Sequence, residues 1–572
     1  GGRREEKKTD GEVESGTSRV TGGFRVRKET PIPEEVISRD LNTDRWVIPK
    51  TSSLATMEKN SEIVEFYRSR SIFVTGATGF VGKATVEKLL RSCPDITNMY
   101  ILIRPKSGSD VKSRLAELLD NSLYDTLREE DPEALTKIIP IAGDITLPEL
   151  GISEEDQGTL CDHVSVVIHS AATVKFDEKL KLSINVNVCG TQRLISLCKK
   201  MKKLVALVHV STAYANCEHD EIKESIYPPP ADPHKLIESV QWMNEDIVNT
   251  ITPQLIGNKP NTYTYTKALA EHLLSEENGS LPICIVRPSI VTATFKDPVC
   301  GWVDNINGPT GLIAACGKGV LRTLLCHREK VADLIPLDYP VNLIIAAAWH
   351  TGSTRPNSIT VYNCCTGQQN PLLWGDLERW GFRYLINNPL SDVWWYPGGS
   401  FKHNRLWNTL NDFVIHYVPA YLMDVAARVA GKKPIMLKVY HKLNKAVTSL
   451  EYFTTHEWKF TCENMMDLYE RMSPEDKKMF TVNVKEVNWH NYIGKYCLGL
   501  RKYVMKEDLS TLPAARKHMR KMYWVHKITQ FFFILLFWRA IMFRSETARQ
   551  LWSFMFGMVL RMSRMLPIGQ TN

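Results

Sequence analysis

The sequence predicts an α/β fold: a doubly wound parallel sheet, followed by a mainly helical C-terminal domain and an apolar tail. Three observations lead there. Short apolar runs alternate with amphipathic helical stretches from about residue 62. A glycine-rich turn closes the first of these runs. Beyond about residue 360 the alternation stops and helical patterning takes over.

The runs are SIFVTG (71–76), MYILIR (99–104), IIPIAGD (138–144), VSVVIHSA (164–171), LVALVHVS (204–211) and ICIVRPSIV (283–291). Strands covered on both faces are near-continuously apolar in this way. Between the first two, VGKATVEKLLR (81–91) places Val86, Leu89 and Leu90 on one helical face. Alternation of strands with such helices predicts a parallel, Rossmann-like sheet.

Composition narrows the functional classes. Apolar residues make up 44% and charged residues 23%, values for a chain with a real core. The net charge of +8 is too diffuse to imply nucleic acid, and it suits acidic small molecules or an anionic membrane face. Thirteen cysteines, an odd number with no Cys-x-x-Cys, read as reduced thiols in a cytosolic setting. No metal-ligand spacing stands out.

The first run ends Thr75, Gly76, Ala77, Thr78, Gly79, Phe80, Val81, Gly82. Gly76 allows a tight turn, Gly79 lets the backbone approach a pyrophosphate, and Gly82 lets helix pack on strand. The N-terminus of the following helix offers free N–H groups to phosphate. Together they predict a dinucleotide site. The second run ends Arg104, Pro105, Lys106, with no acid for a ribose 2′-hydroxyl. A guanidinium there suits a 2′-phosphate, so NADPH is the expected cofactor, with Arg114 as a second contact. Asp144, ending the third run, is expected at the adenine, or as a helix N-cap. Ser170 and Ala171, after His169, are small enough for a cofactor to cross the sheet edge. His169 itself reads as a core histidine.

The segment NTYTYTKALAE places Tyr263 and Lys267 four residues apart, on one helical face. An ammonium there is expected to lower the phenol pKa and to hold the nicotinamide ribose. The fifth run ends in Ser211 and Thr212, and one of the two, Thr212 first, is expected to hydrogen-bond a substrate carbonyl. Asn187 is expected to brace the Tyr263 helix through water. Pro288 and Ser289 are expected to line the nicotinamide.

TGATGFVGK, HSAATVKFDE, HVSTAYAN, NTYTYTKALAE and VRPSIV, with GWVDNINGPTGL (301–312), ADLIPLDYPVN (332–342), YNCCTG and NPLLWGDLE, resemble the successive motifs of alcohol-forming fatty acyl-CoA reductases, within the extended short-chain dehydrogenase superfamily. The likeness runs from about 62 to about 502. It implies reduction of a long-chain fatty acyl-CoA by NADPH, through an aldehyde to the alcohol, with release of CoA. It also implies that Tyr263, Lys267 and Thr212 or Ser211 are catalytic, and that Gly76, Gly79, Gly82 and Arg104 hold NADPH. No thiol stands with a base, so no covalent acyl-enzyme is expected. An enzyme that stops at the aldehyde, a reductase or epimerase acting on another carbonyl substrate, and a non-catalytic NADPH-binding membrane scaffold are the alternatives.

The expected organisation is a disordered polar region over 1–58, an NADPH-binding reductase domain over 62–360, a helical domain over 361–505 and a membrane-associated tail over 515–565. The apolar run Ile528–Phe543 has 16 residues, short of the roughly 20 that span a bilayer. A tail anchor, a helix lying in the headgroups and a buried core helix are all open. Basic residues from Arg516 to Lys527 precede the run, as for a cytosolic catalytic domain. Residues 413–430 are expected to be either a further membrane contact or a buried helix. The chain ends Gln-Thr-Asn, not Ser-Lys-Leu, so the endoplasmic reticulum is expected rather than the peroxisome. The 300–440 region is expected to hold the acyl chain. Oligomeric state is not legible.

Overall fold

The computed structural model describes residues 61–105 and 108–565. The expected disordered region 1–58 and Lys106 lie outside them.

Seven strands form the main sheet: β1 (Ser71–Thr75), β2 (Asn98–Ile103), β3 (Ile138–Ala142), β4 (Val164–His169), β5 (Ala206–Val210), β6 (Ile283–Pro288) and β7 (Thr360–Cys364). Their order is β7-β6-β5-β4-β1-β2-β3, and every neighbouring pair is parallel. Side chains alternate between two cores. Ile72 and Val74 enter one, and Phe73 enters the other. The order reverses between β1 and β4, which opens a crevice at their carboxyl ends, the usual ligand position in such sheets.

Two features differ from the expected strands. The last apolar run is two strands: β6 stops at Pro288, and Ile290–Thr292 pairs instead with Leu334–Pro336. The edge strand β7 lies just past the boundary expected at 360. It is short and carries a buried Asn363, whose Nδ2 donates to Ile222 O and Thr461 O. Its strand character comes from pairing with β6 more than from its own pattern.

Helices cover both faces. α1 (Phe80–Ser92) follows the glycine turn, and α2 (Thr262–Ser275) carries the Tyr263 segment. α3 (Asp338–Thr354) packs across α1, β5 and β6 and is apolar almost all round, as a wholly buried helix must be. Further on come α4 (Arg405–Asp412), a π-turn (Phe413–Tyr417), α5 (Val418–Val429) and α6 (Met436–Thr455). Residues 413–429 do not form a buried helix, because their apolar side chains face outward.

The tail is a single 33-residue helix, α7 (Leu512–Arg544), followed by α8 (Glu546–Met565). The expected 16-residue run is therefore part of a longer helix. By length and composition Leu509–Arg544 is long and apolar enough to cross a membrane. None of its apolar window is buried against the rest of the chain, which excludes a core helix. Trp538 and Trp552 meet at 5.3 Å across the break at Ser545, so α8 folds back on α7.

Candidate active site

The glycine turn closes on itself tightly enough to exclude side chains. Gly76 sits at φ +75°, and a Cβ there would lie 2.6 Å from Ala171 N. A Cβ on Gly82 would lie 2.3 Å from Gly76 O. Gly79 is the N-cap of α1, so no capping side chain covers the first amides of that helix. Thr78, Phe80 and Val81 are half-buried around the turn. Phe80 stacks on Trp302 at 5.5 Å, and Lys83 pairs with Asp304 at 2.6 Å.

Across the crevice, Thr75 ties β1 to β4. Its Oγ1 hydrogen-bonds His169 Nδ1 at 2.7 Å and accepts from Ala171 N at 3.4 Å, while Ser170 N donates to Thr75 O. His169 Nε2 meets Thr191 Oγ1 at 3.1 Å, so this histidine is satisfied within the core, as expected. Burial holds it neutral, with a pKa of about 3.

At the far end of β2 and β3, Arg104, Arg114 and Asp144 come together. Arg104 is half exposed, with Nε 3.9 Å from Asp144 Oδ2. Arg114 donates to Arg104 O. Asp144 Oδ1 accepts from Thr146 N and Thr146 Oγ1, the local turn role that competed with an adenine contact.

Tyr263 and Lys267 lie on α2, whose N-cap Asn261 accepts from Thr264 N. Lys267 Nζ donates to Val210 O, at the end of β5, at 2.8 Å. Tyr263 lies close to Thr212, the residue two beyond β5, whose Oγ1 accepts from Tyr214 N at 3.3 Å. Its neighbour Tyr265 is wholly buried in the core. Burial pushes the Tyr263 phenol up to about 12, against the lowering effect of Thr212. Burial brings Lys267 down to about 8, with Glu271 opposing. Desolvation thus sets the direction for the phenol, upward, where the ammonium was expected to lower it.

Ser211 turns elsewhere. Its Oγ donates to Glu271 Oε1 at 2.5 Å, and Glu271 is held by Arg287 through Nε at 2.9 Å and Nη2 at 2.6 Å. Arg287 also donates to the carbonyls of Lys223 and Ser225. This wholly buried cluster fastens α2 to β6, and Ser211 belongs to it. Asn187 sits in a π-turn (Ile184–Cys189) and donates directly to Thr266 Oγ1 at 2.9 Å, where water was expected. Pro288 and Ser289 end β6 beside this group, with Ser289 N donating to Cys364 O.

Two family models, both described as male sterility protein, match residues 74–344 and 415–507, the first being an NAD-binding model. Fatty acyl-CoA reductase 1 of Xenopus laevis is 46% identical over 499 residues, covering 87% of this chain and 97% of that protein. The chain belongs to the fatty acyl-CoA reductase family. Fatty acyl-CoA reductase 2 of Mus musculus is 41% identical over 498 residues, with 86% and 96% covered. The fold is also that of a reductase domain of a non-ribosomal peptide synthetase from Mycobacterium tuberculosis, at TM-score 0.51 and 17% identity, covering 79% of this chain and 95% of that one.

The reductase builds its site with residues that sequence reasoning missed. Phe176 stacks on Tyr263 at 5.9 Å, and Phe453 of α6 packs on Phe176 at 5.2 Å. Phe453 also meets Tyr214 edge-on. The helical C-terminal part of the reductase therefore reaches the Tyr263 side chain through one intervening ring. Phe453 lies 190 residues beyond Tyr263 and carries no local motif.

Proposed function

We propose that the reductase converts a long-chain fatty acyl-CoA to the fatty alcohol at a membrane, using NADPH. The observation that carries this is the meeting of three groups: Tyr263, stacked on Phe176 and near enough to Thr212 to be influenced by its hydroxyl, and Lys267 one turn on, held to the end of β5. The residues around the crevice fit a dinucleotide. Glycine at 76 and 82 lets the backbone of the turn close up on itself, and Gly79 at the N-cap leaves the first amides of α1 uncovered for a phosphate. Thr75, Thr78, Gly79, Phe80 and Val81 form the rest of that cradle, with Ser170 and Ala171 opposite and Pro288 and Ser289 at the nicotinamide end. Arg104, helped by Arg114, holds the 2′-phosphate, and Asp144 lies toward the adenine. When bound, NADPH supplies hydride to the carbonyl carbon.

The chain's own groups manage the oxygen. Thr212 and Tyr263 hydrogen-bond the thioester carbonyl as negative charge grows on it, and Tyr263 gives up its proton. A phenol held protonated by burial is the right form for a donor. Lys267 keeps its charge at neutral pH and holds the ribose hydroxyls. The hemithioacetal expels CoA thiolate and leaves an aldehyde. The same donors then serve a second reduction to the alcohol, so two NADPH and two protons are consumed per acyl-CoA. We place the acyl chain in the 300–440 region, where Leu312, Ile313, Cys316, Leu324, Trp374 and Phe401 line a small apolar cleft of about 40 Å³. The tail helix supports work at a membrane, with the catalytic body on the cytosolic side.

The test is turnover. Detergent-solubilised protein is mixed with NADPH and a panel of acyl-CoAs, cofactor absorbance is followed and the lipids are analysed. Alcohol, with about two NADPH per acyl-CoA as two hydride steps require, is expected. NADPH binding without oxidation for any acyl-CoA would overturn the reading.

A further inference from the structure

The segment from α4 to α5 is amphipathic the wrong way round for a helix facing water. Its outer face carries Leu406, Trp407, Leu410, Phe413, Leu422 and Val429, with Leu406 81% and Val429 86% exposed. Its inner face carries the polar groups, with His416 only 2% and Asp424 only 4% exposed. Those inner groups are engaged. His416 Nε2 accepts from Arg322 N, His416 Nδ1 pairs with Asp412, and Asp424 accepts from Met436 N and Leu437 N at the start of α6. The orientation is therefore fixed by hydrogen bonds and is not a loose packing choice. A contiguous apolar face held outward marks a contact with an apolar phase.

Charge identifies that phase. From Val425 to Leu450 the sequence has no Asp or Glu, and Arg428, Lys432, Lys433, Lys438 and Lys442 are all exposed. A Leu, Phe and Trp face bordered by cations is the composition of a helix lying in an anionic headgroup layer. A second copy of the chain would bring the same cations face to face. Position agrees. Arg322, which holds His416, also donates from Nε to Gly398 O. In the same loop, Trp395 Nε1 donates to His526 Nδ1 and Tyr396 packs on Tyr523, both on α7 just before its apolar run. The α4–α5 helix and the tail helix thus grip one loop from two sides, and a bilayer entered by α7 past His526 passes beside the α4–α5 helix.

Resting on the membrane reading above, we propose that the continuous α4–α5 helix is a second membrane contact, seated in the headgroup layer of an anionic bilayer. From there α6 leads to the active site. Its start is pinned to Asp424 of α5 and its far end carries Phe453, against Phe176, which in turn stacks on Tyr263. The 17-residue separation of Met436 and Phe453 spans about 25 Å at the rise of an α-helix. A chain drawn from the bilayer follows α6 toward the catalytic tyrosine.

The full-length protein is reconstituted in phosphatidylcholine vesicles with phosphatidylserine, with bromines on the phosphatidylcholine acyl chains to quench nearby tryptophan. The difference between the wild type and Trp407→Phe isolates Trp407 from the other tryptophans. Quenching of the Trp407 share is expected, and each of Lys432→Gln and Lys433→Gln should lower the docked-to-free ratio about five-fold. Turnover in detergent should be unchanged in all three variants, which shows that they fold. An unquenched Trp407 beside quenched tail tryptophans would overturn the α4–α5 contact alone. No quenching of any tryptophan would overturn it together with the membrane reading. A Trp407 shielded in a detergent-stable dimer would replace the bilayer with a second copy. Loss of acyl-CoA turnover in wild-type detergent samples would count against the proposed reaction and leave the quenching result standing.

Discussion

Phe453 and Phe176 lie with ring centroids 5.2 Å apart, and they join two parts of the chain that the sequence presents as separate. Phe176 follows β4 and stacks on Tyr263, whereas Phe453 comes from α6. Aromatic pairs of this kind are worth about 0.5–1.5 kcal/mol beyond their area. We expect Phe453→Leu to lower kcat/KM for acyl-CoA roughly two- to ten-fold, with NADPH affinity unchanged. Steady-state kinetics against both substrates check this.

Ser211 and Thr212 are adjacent but do different things. Ser211→Ala removes a donor from the buried Glu271–Arg287 pair, and a charged group left short of a partner costs about 1–3 kcal/mol. We expect a lower unfolding midpoint with kcat retained. Thr212→Ala also loses the acceptor of Tyr214 N, so its midpoint should fall too, but it should in addition lower kcat by about 10²-fold. Denaturant titration and turnover on the same samples separate the two. Equal kinetic losses would place Ser211 in the chemistry after all.

Tyr263→Phe keeps the ring against Phe176 and removes only the hydroxyl. Turnover should fall by about 10²–10⁴-fold, with NADPH still bound by fluorescence titration. Alcohol formation at the wild-type rate would refute the assignment.

Lys267 predicts the alkaline side of the pH profile. Its folded pKa is about 8, lowered from 10.5 by burial. Below about pH 8 the ammonium is present, and above it kcat/KM should fall. The fall is not unfolding. Between 8 and 10.5 the unfolded chain holds the proton that the folded chain has lost, so this group makes the fold more stable as pH rises. Lys267→Arg should move the limb beyond the accessible range. A limb unmoved by that change would assign it to another group.

Arg104 is half exposed beside Asp144, and the function proposed above has it hold the 2′-phosphate. Losing a charge-assisted hydrogen bond costs about 1.5–3 kcal/mol, so Arg104→Ala should raise the KM for NADPH by about 10- to 100-fold. The KM for NADH should barely change. Paired titrations with the two cofactors check this.

Much of the molecule was legible because its signals are local. Buried strands must be apolar on both faces, so six runs announced the parallel sheet. The turn from Gly76 to Gly82 needs glycine at three fixed places, because any Cβ at its ends would strike backbone, and this spacing shows in the sequence. Tyr263 and Lys267 share a helical face at a spacing of four, which is equally local. What the tertiary structure alone decided involves groups far apart along the chain. Strand β7 exists because it pairs with β6. Ser211 turns to the buried ion pair because Glu271 and Arg287 converge from α2 and β6. The Tyr263 phenol is raised, not lowered, because burial depends on everything packed around it. Phe453 joins the site across 190 residues with no local mark. Which face of the α4–α5 helix points outward was settled by Arg322 and the start of α6, since a helix's periodicity defines two faces but not which of them meets the body of the protein.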